Sequence, residues 1–363
     1  MLRKLIILST CVAILLGLTN FKASASAEFS QNSAYVLYEP SEGVVLKGAN
    51  EGKRLPMAST TKIMTAILAI ENLDLGATLV ASKDCTGIEG SSLYIKEGDK
   101  IKASDLIYGL MLCSANDAAV MLAISISESV NAFSDLMNEK AKELGLEDTH
   151  FTNPHGLDDK EHYTTAKDLA VLSTYALENP IFEGIAATVK KNIAVSDNIR
   201  LAINHNKLLK SYDGCIGIKT GYTKRSGRCL VSCAERDNVK LICVTLNYHD
   251  DWSFHSKMLD EGFSLCEFFP IPHGYKDQIE IPVLNGKADY VLASPINLPE
   301  GFVGAKDDNF EFSITIDKYL VAPVKKNHKV GVLTVKKNNK EFYSTDIVTE
   351  YSVNKTKQGL FKQ

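Results

Sequence analysis

The chain has 363 residues, 45% apolar and 23% charged, an ordinary composition that excludes a disordered, collagen-like or polytopic membrane protein and leaves room for two domains. Forty basic against 44 acidic residues give a formal charge of −4, which argues against nucleic acid as a partner. Eight cysteines at scattered spacing, with no Cys-x-x-Cys, argue against a disulfide scaffold and against a zinc site.

Residues 1–25 read as a secretory signal: Arg3 and Lys4, an apolar run from Leu5 to Leu18, then small residues from Ala23 to Ala27, with cleavage expected after Ala25 or Ala27. The apolar run is shorter than the roughly 20 residues a membrane span needs. Loss of the signal leaves a charge of −7, unevenly spread. From Ser26 to Tyr275 there are 24 basic and 33 acidic side chains, whereas Val324 to Gln363 carries 9 lysines and 3 acids. The body is acidic and the end of the chain basic.

Strands are expected at Ala34 to Tyr38 and Val44 to Leu46, then helices over Ser59 to Asn72, Ala103 to Ala123, Val130 to Leu144 and Ala166 to Leu177. In the third helix Val130, Phe133, Met137, Ala141 and Leu144 recur at helical spacing before Gly145, which predicts a core-facing stripe. Cys229 to Ala234 and Lys240 to Asn247 read as adjacent strands, with Cys229, Val231 and Cys233 on one face as small buried hydrophobes. The pattern breaks at Phe269-Pro270-Ile271-Pro272-His273-Gly274, where a domain boundary is expected. Beyond it the period falls to two. Ile279 to Leu284, Tyr290 to Ala293, Phe310 to Ile316, Val330 to Val335 and Glu341 to Val348 predict a small all-β sandwich without nucleophile or metal cluster.

Chemistry is concentrated upstream. Ser59 and Lys62, three apart at the start of an apolar helix, share a face. A serine hydroxyl needs a base, and a lysine serves as one only when neutral, a state that desolvation or a second cation favours. Lowering a lysine from about 10.4 to about 7 costs roughly 4 to 5 kcal/mol, a penalty that implies a purpose. Read alone, Ser-x-x-Lys is a weak signal, and Ser59 is better read as a helix cap. Ser114 and Asn116 then place a hydroxyl and an amide in an apolar stretch, where each needs a partner. Lys219, Thr220, Gly221 and Tyr222 put a cation and a hydroxyl beside a residue that lets a ligand approach backbone, and the Gly-Lys pair of a phosphate loop is absent.

Together, Ser-x-x-Lys, Ser-x-Asn and Lys-Thr-Gly in this order are the constellation of penicillin-recognising serine acyl enzymes. From about Ala34 to Val348 the chain resembles the low-molecular-mass penicillin-binding D-alanyl-D-alanine carboxypeptidases. Supporting stretches are Gly90-Ser91-Ser92, Thr152-Asn153-Pro154-His155-Gly156-Leu157, His162-Tyr163-Thr164-Thr165-Ala166 and Asn204-His205-Asn206-Lys207. The resemblance implies an α/β (α+β) transpeptidase/β-lactamase-like domain over residues 28–270, with an antiparallel sheet flanked by helices. A β-sandwich over 276–350 and a short basic tail over 351–363 would follow. It further implies that Ser59 attacks the carbonyl between the two terminal D-alanines of a peptidoglycan stem peptide, with Lys62 as base and β-lactams acylating the same serine. Ser114 and Asn116 would relay protons and hold the substrate amide. Lys219 and Thr220 would bind the terminal carboxylate, Lys219 would keep Lys62 neutral, and the N–H groups of Ser59 and Tyr222 would form the oxyanion hole. No cofactor or metal is expected, and the protein is expected outside the cytoplasmic membrane.

Two departures from the family pattern stand out. Ala115 replaces the usual glycine of Ser-Gly-Asn, and the chain stops at Leu360-Phe361-Lys362-Gln363 rather than in an amphipathic membrane helix, leaving the basic tail to a peripheral contact with anionic lipid or to solvent. Among rival readings, a serine β-lactamase lacks support because no glutamate between Glu139 and Phe182 is followed four places later by asparagine. A D,D-endopeptidase acting on wall cross-links would share all three motifs. A catalytically dead wall-binding protein would not need to keep them.

Overall fold

In the computed structural model residues 30–356 are described. The signal at 1–25 and the tail end at 357–363 lie outside them. In chain order, the hairpin β1 (Ala34–Glu39) and β2 (Val44–Ala49) leads to a 3-10 turn (Ala58–Thr61) that runs into α1 (Lys62–Asn72). Short strands β3 (Thr78–Val80) and β4 (Lys100–Lys102) precede α2 (Ala103–Leu112), α3 (Asn116–Ser127), α4 (Val130–Glu143), α5 (Ala166–Leu177) and α6 (Pro180–Ala186). The hairpin β5 (Lys190–Val195) and β6 (Asn198–Ile203) and the single turn α7 (Leu208–Ser211) lead into β7 (Cys215–Thr223), β8 (Gly227–Arg236), β9 (Val239–Leu246) and α8 (Asp251–Leu265). Apart from a 3-10 turn (His273–Tyr275), the rest is β: β10 (Cys266–Pro270), β11 (Ile279–Leu284), β12 (Tyr290–Pro295), β13 (Gly301–Ala305), β14 (Phe310–Ile316), β15 (Leu320–Val321), β16 (Lys329–Lys337) and β17 (Lys340–Thr349).

The central sheet is antiparallel, in the order β2-β1-β9-β8-β7, so that β7 forms one edge. Its middle strands are covered on both faces, which is why they read as near-continuous apolar runs. Cys229, Val231 and Cys233 face the core that holds α1, while Leu230 and Ala234 face α8, as period-two alternation requires. Lys62 to Ile70 are all buried, so α1 is a central helix, apolar on every side. In α4 the expected stripe is present, with Phe133, Met137 and Ala141 buried. Side-chain caps start α4 and α5: Ser129 Oγ accepts from Ala132 N–H, and Thr165 Oγ1 from Asp168 N–H at 3.0 Å.

One expected helix is two. The apolar run from Ala103 to Ala123 breaks at Cys113–Ala115, where Ser114 takes φ 59°, a conformation no helix contains. Periodicity continues across the break because both helices pack into the same core, so apolar spacing alone did not reveal it. Ser59 likewise sits in the 3-10 turn rather than in the first turn of α1, and its side chain caps no helix.

Beyond Pro270, six strands link in the order β14-β16-β17-β12-β11-β15 around a core of Ile281, Val291, Leu333, Val335 and Ile347. The facing layer is the β10–β13 pair, with Phe302 stacked on Phe310 at 5.9 Å and edge-on to Phe342 at 5.4 Å. Because β10 follows α8 directly and pairs with β13, the two parts of the chain are joined by strand hydrogen bonds as well as by the link.

Candidate active site

The 3-10 turn is tied by its own hydroxyls. Thr60 Oγ1 donates to Met57 O at 2.6 Å and Thr61 Oγ1 to Ala58 O at 2.8 Å, while Ala58 holds φ 47°. With its proton given to Ala58, Thr61 Oγ1 accepts from His162 Nε2 at 2.7 Å, and His162 Nδ1 accepts from Thr152 N–H at 3.0 Å. That pattern assigns a neutral imidazole, and burial pulls its pKa down to about 4. The result presents Ser59 half-buried at the mouth of α1.

Behind it Lys62 is fully buried. Its Nζ lies 2.7 Å from Asn116 Oδ1, 2.6 Å from the carbonyl oxygen of His155 and 3.0 Å from Ser59 Oγ. Two of these three neighbours are pure acceptors. A neutral amine has two hydrogens to satisfy them, and its lone pair is then left facing the serine hydroxyl. Burial, and secondarily the Lys219 cation, drives Lys62 well below the ordinary lysine range, while Asp117 pulls weakly the other way.

The carbonyl of His155 reaches Lys62 because the loop Asn153–Leu157 lies against the turn. Gly156, at φ 89°, passes so close that a Cβ would sit 1.9 Å from Ala58 O. Pro154 O accepts from Thr65 Oγ1 at 2.6 Å, fixing the same loop to α1.

Asn116 is placed as a partner of Lys62 rather than on the pocket wall: its Nδ2 donates to Glu89 O at 2.5 Å while its Oδ1 accepts from the lysine. Lys219, buried on β7, donates to Thr220 O at 3.1 Å, and burial lowers its pKa to about 7. Gly221 brings β7 onto the turn, since a Cβ there would stand 3.0 Å from Ser59 N.

These elements enclose a pocket of about 330 Å³ lined by Ser59, Ser114, Thr220, Gly221 and Tyr222, with Lys62, Asn116 and Lys219 buried outside its lining. All eight residues singled out from sequence therefore converge. Six other residues line the same pocket: Ser91, His205, Arg228, Cys229, Asp251 and Trp252. Ser91 and His205 fall in stretches recognised only as supporting. Arg228 pairs across the sheet with Tyr222, so counting back through the Thr223–Gly227 turn would have found it. Asp251, almost wholly buried, holds Arg228 with two hydrogen bonds of 3.0 and 2.7 Å, an arrangement that no local motif signals. Burial raises the Cys229 thiol to about 11.

Comparison with known proteins gives the same picture. Residues 21–250 match the D-alanyl-D-alanine carboxypeptidase family, and residues 275–355 match the C-terminal domain of penicillin-binding protein 5. The chain is 30% identical over 332 residues to the D-alanyl-D-alanine carboxypeptidase DacF of Bacillus subtilis, covering 88% of this chain and 85% of the relative. It is 31% identical to DacC of Escherichia coli over 346 residues, 88% and 84% of the two chains. Penicillin-binding protein 5 of Haemophilus influenzae superposes with a TM-score of 0.69 at 26% identity, covering 89% of this chain and 97% of that one. With three motifs converging on one cleft and both parts of the chain matched, this protein belongs to the D-alanyl-D-alanine carboxypeptidase family and is a serine carboxypeptidase of penicillin-binding architecture.

Proposed function

We propose that this chain removes the terminal D-alanine from peptidoglycan stem pentapeptides through an acyl-enzyme on Ser59. The observation that carries the reading is the set of contacts round Lys62: two carbonyl acceptors take both hydrogens of a neutral amine and leave its lone pair 3.0 Å from the serine oxygen. Lys62 takes the proton as Ser59 Oγ bonds to the carbonyl carbon between the two D-alanines. The oxyanion falls between the N–H groups of Ser59 and Tyr222, on the strand edge that Gly221 holds against the turn. Ser114, on the pocket wall, passes the proton to the leaving amine, the C–N bond breaks, and D-alanine departs.

Lys219 and Thr220 receive the substrate carboxylate. A lysine titrating near 7 takes up a proton readily when an anion arrives, and the added charge then disfavours protonation of Lys62. Water, activated by the same base, cleaves the ester. A β-lactam carries the same carboxylate and a strained amide, and its acyl group stays on Ser59.

In this reading the catalytic unit spans residues 28–270 and the β unit 276–350 supports it. Residues 1–25 direct export, the enzyme works outside the cytoplasmic membrane, and the lysine-rich end of the chain is left to solvent or to a peripheral contact with anionic lipid. A fluorescent penicillin tests the core of it. Covalent labelling of purified protein is expected and should vanish in Ser59→Ala; a label that survives that change overturns the assignment. A D-alanyl-D-alanine pentapeptide should yield free D-alanine.

A further inference from the structure

Three residues around the pocket hold a left-handed backbone without being glycine or asparagine: Ala58 at φ 47°, Ser114 at 59° and Tyr94 at 54°. The first two are accounted for, since one turns the chain into Ser59 and the other breaks a helix to present a hydroxyl. Tyr94 has no such role in the mechanism. For a bulky side chain this conformation is disfavoured, and strained residues that persist need a compensating gain. Packing does not supply it, because Tyr94 is 75% exposed.

The loop that carries it is locked from two sides. Buried Asp117 accepts from Leu93 N–H and Ile95 N–H, each at 3.0 Å, and from Ser92 Oγ at 2.6 Å, while Ser92 Oγ accepts from Tyr94 N–H at 2.8 Å. Asn116 N–H donates to Ser91 O at 2.7 Å. From β6, Arg200 donates to Leu93 O, and its guanidinium carbon lies 6.0 Å from the centre of the Tyr94 ring. Leu93 and Ile95 point into the core, so Tyr94 between them is turned outward on a fixed frame. Ser91 lines the pocket three residues away, which puts the two Cα atoms within about 11 Å of each other. An extended peptide rising about 3.3 Å per residue covers that distance in three or four residues.

We propose that Tyr94, with Arg200 beside it, is a specificity-determining contact for the part of the stem peptide upstream of the scissile bond. The ring packs on an aliphatic arm of the substrate, and the guanidinium pairs with a substrate carboxylate. This rests on the carboxypeptidase reading above and adds the substrate segment that it leaves unassigned.

The test compares two substrates on the purified chain, an N-acetyl-D-alanyl-D-alanine too short to reach Tyr94 and the full pentapeptide, with fluorescent penicillin labelling alongside. Tyr94→Ala should lower kcat/KM for the pentapeptide about five- to tenfold, mostly through KM, with the short substrate and penicillin labelling within about twofold of wild type. Tyr94→Phe should keep the preference. Tyr94→Gly should lose it with a thermal midpoint equal to or above wild type, because glycine accepts this φ freely, whereas a tyrosine kept for structure would lower the midpoint. Equal losses on both substrates, or no loss on either, overturn the proposal and leave the carboxypeptidase reading standing. Failure of the wild type to release D-alanine from either substrate, with no Ser59-dependent label, sinks both.

Discussion

Among the described residues, two places set a serine against a side-chain nitrogen base. Ser59 Oγ stands 3.0 Å from Lys62 Nζ, and Ser232 Oγ stands 2.6 Å from His255 Nδ1, with Thr245 Oγ1 3.0 Å from the other ring nitrogen. By distance alone the second pair is the better dyad. Yet Ser232, Thr245 and His255 are each fully buried, and burial holds the imidazole down at about 3. Ser59 opens on a pocket with a strand edge and a second cation beside it. A nucleophile and a base in contact make a site only where a substrate can enter and charge can be stabilised. The histidine cluster is polar packing in a core that required its hydrogen bonds to be met.

Substitutions should separate the two clusters cleanly. Lys62→Ala should reduce penicillin acylation about 10³-fold while the protein stays folded, since it removes the base and relieves the burial of an amine. Normal labelling in that variant would remove Lys62 from its assigned role. His255→Ala should do the reverse, costing about 3 kcal/mol in a denaturant titration by opening a cavity and stranding two hydroxyls, with the labelling rate of the folded fraction unchanged.

Acid should destabilise the fold through three buried histidines, two beside the active-site turn and one in the Ser232 cluster. His155, His162 and His255 are held by burial at about 3, 4 and 3, below the unfolded value near 6.5, so the unfolded chain binds more protons over that interval. Their contribution to stability is complete above about pH 6.5 and is lost as the pH falls towards 3. The slope of unfolding free energy against pH should be shallower in His255→Ala by about one proton.

Smaller effects should tune the lysine. Lys219 lowers the Lys62 pKa and Asp117 raises it, so their removal should move the acid limb of the acylation rate in opposite directions. Lys219→Met should shift that limb to higher pH and weaken acylation about 10- to 100-fold through loss of carboxylate binding. Asp117→Asn should shift it slightly to lower pH, with a change of a few-fold at neutrality. Limbs that move together would mean that neither charge acts on Lys62.

Most of the helices and strands were legible because their apolar periods are strong; Ala166–Leu177, Ile279–Leu284 and Phe310–Ile316 fall on the expected residues. The break at Ser114 was not, because a left-handed residue inside an apolar run leaves no compositional trace. The eight motif residues were legible as chemistry, being nucleophile, base, hydroxyl and cation in one order. The pocket wall built by Arg228, Asp251 and Trp252 was not, since it depends on β8 meeting the start of α8 in three dimensions. The carbonyl of His155 was invisible for a different reason, that a backbone oxygen has no letter in a sequence.

The cysteine in the pocket wall bears on chemoselectivity. A thiolate outcompetes an alkoxide for most electrophiles, and an acylating drug that settles in this cleft meets both Ser59 and Cys229. Held at about 11 by burial, the sulfur is almost wholly protonated at neutral pH and inert, while the alcohol has a proton acceptor in contact. The cleft thereby sends an incoming electrophile to oxygen, whose ester water can later hydrolyse.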